Sequence, residues 1–115
     1  MEIRILKEPI SLSDVMALAK DQFGVMVKAT VDVEREVLAL GGELHCDEEA
    51  LLLEDGSEQG HLWGINIYPE KSEADRIEFD SMINVRPSQN NRSRGVENPE
   101  TQERILQIVS KLIRP

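Results

Sequence analysis

The chain has 115 residues, of which 40% are hydrophobic and 30% charged, and a formal net charge of −9. That is the length of one domain, with no room for a second, and the apolar share is too high for a disordered chain. Thirteen basic residues against twenty-two acidic ones argue against general DNA or RNA binding and against attraction to an anionic membrane surface. Only four aromatics are present, so the core is expected to be aliphatic. The single cysteine, Cys46, rules out an internal disulfide and a thiolate-rich metal site. The opening residues, Met-Glu-Ile-Arg-Ile-Leu-Lys, show no signal-peptide pattern, and no run approaches the ~20 apolar residues of a membrane span. A cytoplasmic location is the expectation.

Ile3 to Leu6 reads as a short strand stopped by Pro9. Ser11 has the character of an N-cap, and Leu12, Val15, Met16, Ala19 and Phe23 follow at helical spacing until Gly24, which predicts a helix over 12–22. Val25, Val27, Ala29, Val31 and Val33 then alternate with Lys28, Thr30 and Asp32, the pattern of a strand with one buried face. A turn at 34–36 and a returning strand from Val37 to about His45 complete a hairpin; the rival reading is one helix over 26–40. Glu48 to Leu53 suits either a short helix capped by Asp47 or a buried strand. Asp55-Gly56-Ser57 is a turn, 62–68 a strand closed by Pro69, and 70–75 a loop. Residues 76–85 read as another strand, with a change of parity at Met82-Ile83 that suggests a bulge. The 87–95 segment has no aliphatic or aromatic residue and reads as an exposed loop. Asn98 and Pro99 open a final helix that places Ile105, Ile108, Val109, Leu112 and Ile113 on one face. The sum is an α+β domain, a mostly antiparallel sheet of four to five strands carrying an N-terminal and a C-terminal helix. The broad apolar stripe of the last helix could dock on its own sheet or on a second copy, so a homodimer is open.

Three groups of residues could carry chemistry. In an extended 41–49 segment, Glu43, His45 and Asp47 would share one face at ~7 Å intervals, a carboxylate–imidazole–carboxylate set suited to a metal or to acid/base work. His61 could complete it. Cys46 would then point the other way, into the core. The same stretch, 43–58, holds seven carboxylates and no Lys or Arg, the composition of a solvated face. Arg86, Arg92 and Arg94 lie in a segment without an acid, carrying +3 while the remainder of the chain carries −12. Guanidinium groups beside Asn91 and its Ser and Gln neighbours could grip a phosphate or carboxylate, or could pair with the protein's own acids. Finally, Asn66 and Asn84 are poor strand formers, and with Asp80 and Ser81 they point to a polar surface or a hydrogen-bond network. Trp63 reads as core.

The segments Val31-Asp-Val-Glu-Arg, Gly41-Gly-Glu-Leu-His-Cys-Asp, Leu62-Trp-Gly-Ile-Asn-Ile-Tyr-Pro, Ile77-Glu-Phe-Asp-Ser-Met-Ile-Asn-Val-Arg-Pro and Asn91-Arg-Ser-Arg-Gly-Val-Glu, in that order, resemble a family of small microbial proteins classified only as a domain of unknown function. The resemblance spans about 3–113 and implies a free-standing cytosolic protein; it brings no activity or cofactor with it. The residues themselves support a non-enzymatic module that binds an anionic ligand or protein partner through the Arg86–Arg94 loop. They leave open a metal-assisted hydrolase or lyase using Glu43, His45 and Asp47, and an antitoxin-like acidic inhibitor that meets a basic protein through 43–58. No phosphate-loop, nucleophile-elbow or HExxH pattern occurs.

Overall fold

Strict alternation of valines with polar residues makes a hairpin of β3 (Val27–Asp32) and β4 (Val37–Leu40), which excludes a helix over 26–40. Its turn is held by Asp32, whose Oδ1 accepts the Glu34 and Arg35 N–H groups at 2.9 Å. The computed structural model describes residues 2–115. β1 (Arg4–Leu6) pairs with β4, and β5 (Leu62–Ile67) pairs with β3; β6 (Ile77–Glu78) closes an antiparallel sheet ordered β1-β4-β3-β5-β6. β2 (Ile10–Ser11) and β7 (Ile113–Arg114) form a separate parallel pair.

The sheet is covered on both faces. Odd-numbered positions of β3 and β5 (Val27, Ala29, Val31, Trp63, Ile65, Ile67) join Leu38 and Leu40 in the main core, under α1 (Leu12–Asp21) and α3 (Pro99–Leu112). Both helices are capped as their sequences predict, Asp14 N–H donating to Ser11 Oγ at 3.1 Å and Glu100 N–H to Asn98 Oδ1 at 2.8 Å. The α3 stripe is spent inside this core, where Ile105, Ile108, Val109 and Leu112 are buried. Phe23, by contrast, lies past the end of α1 and is exposed.

The opposite face carries Lys28, Thr30 and Asp32 beside Leu62, Gly64 and Asn66. A third helix, α2 (His45–Glu54), covers part of it and packs Leu52 against Val37, Ala39 and Leu62. The helical alternative for 48–53 therefore holds, with the helix starting earlier than Asp47. β4 does not run on to His45; it ends at Leu40, where Gly41 takes φ 98°. Gly42 has no room for a side chain, because a Cβ there would lie 2.9 Å from Glu48 Cγ. The chain thus turns off the sheet at the glycine pair and enters α2.

The predicted strand over 76–85 is mostly not a strand. Beyond Glu78 the chain leaves the ladder and makes a 3₁₀ turn at Met82–Asn84, capped by Ser81. The parity change at Met82-Ile83 is that turn rather than a bulge. The segment still runs beside β5 but satisfies it with side chains. Gly64 N–H donates to Asn84 Oδ1 at 2.8 Å, and Asn84 Nδ2 donates to the Gly64 carbonyl at 2.9 Å. Arg86 donates to the Leu62 and Gln59 carbonyls and lies 4.1 Å over the Trp63 ring. Gly64 is required because a Cβ would come within 2.5 Å of Ser81 Cβ.

The 87–95 segment is more ordered than its composition suggests. Asn91 is buried and acts as a hub: Nδ2 donates to the Asn84 and Gly95 carbonyls, and Oδ1 accepts from Glu97 N–H. Backbone N–H groups of Ser93 and Arg92 hold the Glu97 carboxyl below the usual carboxylate range.

Candidate functional site

α2 covers the Thr30 and Asp32 end of its sheet face but stops short of Lys28 and Asn66. The uncovered end is a cleft of about 400 Å³. Its sheet side is formed by Lys28, Asn66, Tyr68 and Glu78, one wall by Leu44, His45 and Cys46 at the start of α2, and the other by Asp80 to Ile83 with Arg94. Met26, Leu44 and Met82 give it apolar edges, Met82 being 67% exposed.

Each polar group has a definite partner or a definite lack of one. His45 is buried, and its Nε2 donates to the Ile65 carbonyl at 2.7 Å. That bond fixes the proton on Nε2 and leaves Nδ1 as an acceptor. Burial pushes the His45 pKa down, with Lys28 and Arg94 adding to the effect, so the ring is neutral. Asn66 is only 5% exposed; its Nδ2 donates to Glu78 Oε1 at 2.8 Å, while its Oδ1 has no donor among the described residues. Tyr68 Oη donates to the same Glu78 oxygen at 3.3 Å, and its pKa is raised by desolvation and by the neighbouring carboxylates of Glu78 and Asp80. Arg94 Nε pairs with Asp80 Oδ1 at 2.7 Å, which leaves its terminal nitrogens without an acceptor among the described residues. The Lys28 ammonium sits 5.5 Å from the Phe23 ring centre and pairs with no carboxylate of the described residues.

Behind His45 lies a buried acid. Glu48 is fully buried, and its pKa is pushed up to about 9 by desolvation, against hydrogen bonds from Gly42 and Thr30. Thr30 Oγ1 lies 3.0 Å from Glu48 Oε1 and 3.4 Å from the His45 carbonyl. Thr30 is the donor in the shorter of these contacts, and Oε2 accepts Gly42 N–H at 2.9 Å, so both carboxyl oxygens are held from the sheet side.

The residues singled out in the sequence are divided differently by the fold. Glu43, His45 and Asp47 do not share a strand face: Glu43 and Asp47 are exposed, and His45 opens α2. His61 lies elsewhere, 3.6 Å from Glu58. Among the described residues no group of three His, Cys, Asp or Glu side chains is placed to hold a metal ion. Cys46 does not face the core; it is exposed and lines the cleft. Of the arginines, Arg86 is committed to Trp63 and to two backbone carbonyls, Arg94 enters the cleft, and Arg92 is exposed outside it. Asn66 is in the cleft, whereas Asn84 and Asn91 are internal braces of the 81–97 segment. The acidic 43–58 stretch is not wholly a solvated face, since Glu48 is internal and Asp55 pairs with Arg35 at 2.7 Å and Lys7 at 3.1 Å. Sequence reasoning missed Lys28, Tyr68 and Glu78 as cleft residues. The alternation of Lys28 and Asn66 with apolar neighbours was the available signal, but the strand register that joins them was not visible.

Among the described residues no helix is long and apolar enough to cross a membrane. No curated protein and no solved structure matches the chain. A family model does, over residues 4–112, and its description is a protein of unknown function, DUF5674. The five-stranded sheet, its three helices and the cleft at the open end of α2 are thus the structure of a chain that belongs to the DUF5674 family of proteins of unknown function.

Proposed function

We propose that the protein is a non-enzymatic module that binds a small ligand with an anionic group in the cleft, through Lys28 and Arg94. The observation that carries this reading is that two cations line the cleft with unused hydrogen-bonding capacity, in a chain of net charge −9. Surplus carboxylates elsewhere would be expected to neutralise a free Lys and Arg, yet among the described residues Lys28 meets none, and Arg94 spends only Nε on Asp80. The terminal guanidinium nitrogens and the ammonium are the donors that a carboxylate or phosphate needs. Arg94 belongs to the segment that the sequence marked for anion recognition; Lys28 takes the place of Arg86.

Calorimetric titration with inorganic phosphate, sugar phosphates, nucleotides and short carboxylic acids tests the proposal. At least one should bind the wild type, and the Lys28→Ala/Arg94→Ala double variant should bind it at least about tenfold more weakly. Arg92→Ala should leave that affinity unchanged. Equal binding by wild type and double variant would refute the cleft, and loss on Arg92→Ala alone would return the site to the outer loop.

A further inference from the structure

Lys28, Asn66 and Glu78 occupy one row across three adjacent strands, because Lys28 pairs with Asn66 and Asn66 with Glu78. Two strand spacings put the backbones at the ends of that row roughly 10 Å apart. The row therefore runs from a cation through an amide to a carboxylate, and all three line the same cleft. The end groups do not neutralise each other. Glu78 Oε1 is engaged by Asn66 and Tyr68, and no cation of the described residues pairs with its carboxylate. Between them, Asn66 Oδ1 is a buried acceptor without a donor among the described residues. Such an atom carries an uncompensated desolvation cost, which a ligand N–H would relieve.

A simple anion satisfies only half of this arrangement. It would meet Lys28 and Arg94, but it would bring negative charge toward Glu78 and Asp80 and leave Asn66 Oδ1 unserved. We propose that the ligand is a zwitterion of the amino-acid type, its carboxylate held by Lys28 and Arg94 and its ammonium by Glu78 and Asn66; this rests on the anion-binding reading above. An ammonium offers three donors, enough for a Glu78 oxygen and Asn66 Oδ1 together. The two ends of the row are one cation and one carboxylate, the polarity of a zwitterion read in reverse. Met26 and Met82, unbranched and on the cleft edges, can move aside to admit it.

The experiment compares glycine, β-alanine and γ-aminobutyrate with acetate, propionate and butyrate, each amino acid against its des-amino counterpart, at millimolar concentrations. Titrations are followed by ¹H–¹⁵N correlation spectra of the side-chain amide of Asn66 and by calorimetry. At least one amino acid should bind about tenfold or more tightly than its counterpart and shift the Asn66 amide signals. Glu78→Gln should abolish that preference while leaving phosphate or carboxylate binding intact or stronger. The inference is overturned if the des-amino acids bind as tightly as the amino acids, or if neither series binds. Should inorganic phosphate or a sugar phosphate bind through Lys28 and Arg94 while the zwitterions do not, the anion-binding reading stands and this one falls. If nothing binds, both fall.

Discussion

Replacing Glu48 with glutamine should make the protein more stable, and increasingly so as pH rises. The unfolded chain releases the Glu48 proton near the ordinary value of 4.5, whereas the folded protein keeps it until about pH 9. Between those values folding takes up a proton, so the contribution of this group is fully present below 4.5 and is lost as pH rises toward 9. Each pH unit in that window costs about 1.4 kcal/mol, which amounts to about 3 kcal/mol at pH 7. Glutamine has the shape of the protonated acid and carries no such cost. Its Nε2 can donate to Thr30 Oγ1 and its Oε1 can accept Gly42 N–H, which keeps both observed contacts with the donor reversed at Thr30. Urea denaturation of wild type and Glu48→Gln at a series of pH values from 5 to 8.5 isolates the effect, since every other titrating group is shared. The two proteins should nearly coincide at the acid end and separate steadily above it, the variant being more stable by about 3 kcal/mol at pH 7. A difference independent of pH, or a variant less stable than wild type at pH 7, would refute the protonated carboxyl.

Asn84→Ala strips three hydrogen bonds from buried backbone, on Gly64 and on the Arg94 carbonyl, and should cost about 3 kcal/mol in urea denaturation; a loss under about 1 kcal/mol would mean that water replaces the amide. Arg86→Lys keeps the charge but cannot bridge two carbonyls while stacking on Trp63, so it should destabilise by about 2 kcal/mol and shift the emission of the chain's one tryptophan. Unchanged fluorescence would argue against the stack. By NMR, His45 should hold its proton on Nε2 at pH 7 and acquire a second one only below the ordinary histidine range; an Nδ1–H tautomer would refute the bond to Ile65.

Much of the fold was legible because its elements announce themselves locally. Ser11, Asn98 and Pro99 mark helix starts, and the valine alternation specifies the β3–β4 hairpin against a continuous helix. The site was less legible. Whether His45 sits on a strand or opens a helix depends on Gly41 and Gly42, whose role comes from the tight approach of Glu48, a contact made only in three dimensions. The same uncertainty reversed Cys46 from core to surface. Glu48 reads as one more carboxylate in an acidic run, and nothing in that run distinguishes the one residue that folds inward. The roles of the three arginines also depended on packing, since the Trp63 ring beneath Arg86 and the Gln59 and Leu62 carbonyls that its guanidinium meets remove that residue from the ligand-binding candidates.

Asn84 and Arg86 have one more effect on the life of this protein. An outer strand with unused N–H and C=O groups is a template on which another chain can assemble. Along β5 the side chains of Asn84 and Arg86 occupy those groups at Gly64 and Leu62, and β6 covers only the stretch beyond. Side chains can end a sheet without presenting a fresh row of backbone to the solvent. The β6 edge is two residues long and the β1 edge three, so neither border offers a length of ladder worth extending. A protein whose sheet is half aliphatic is in this way protected from polymerising along it.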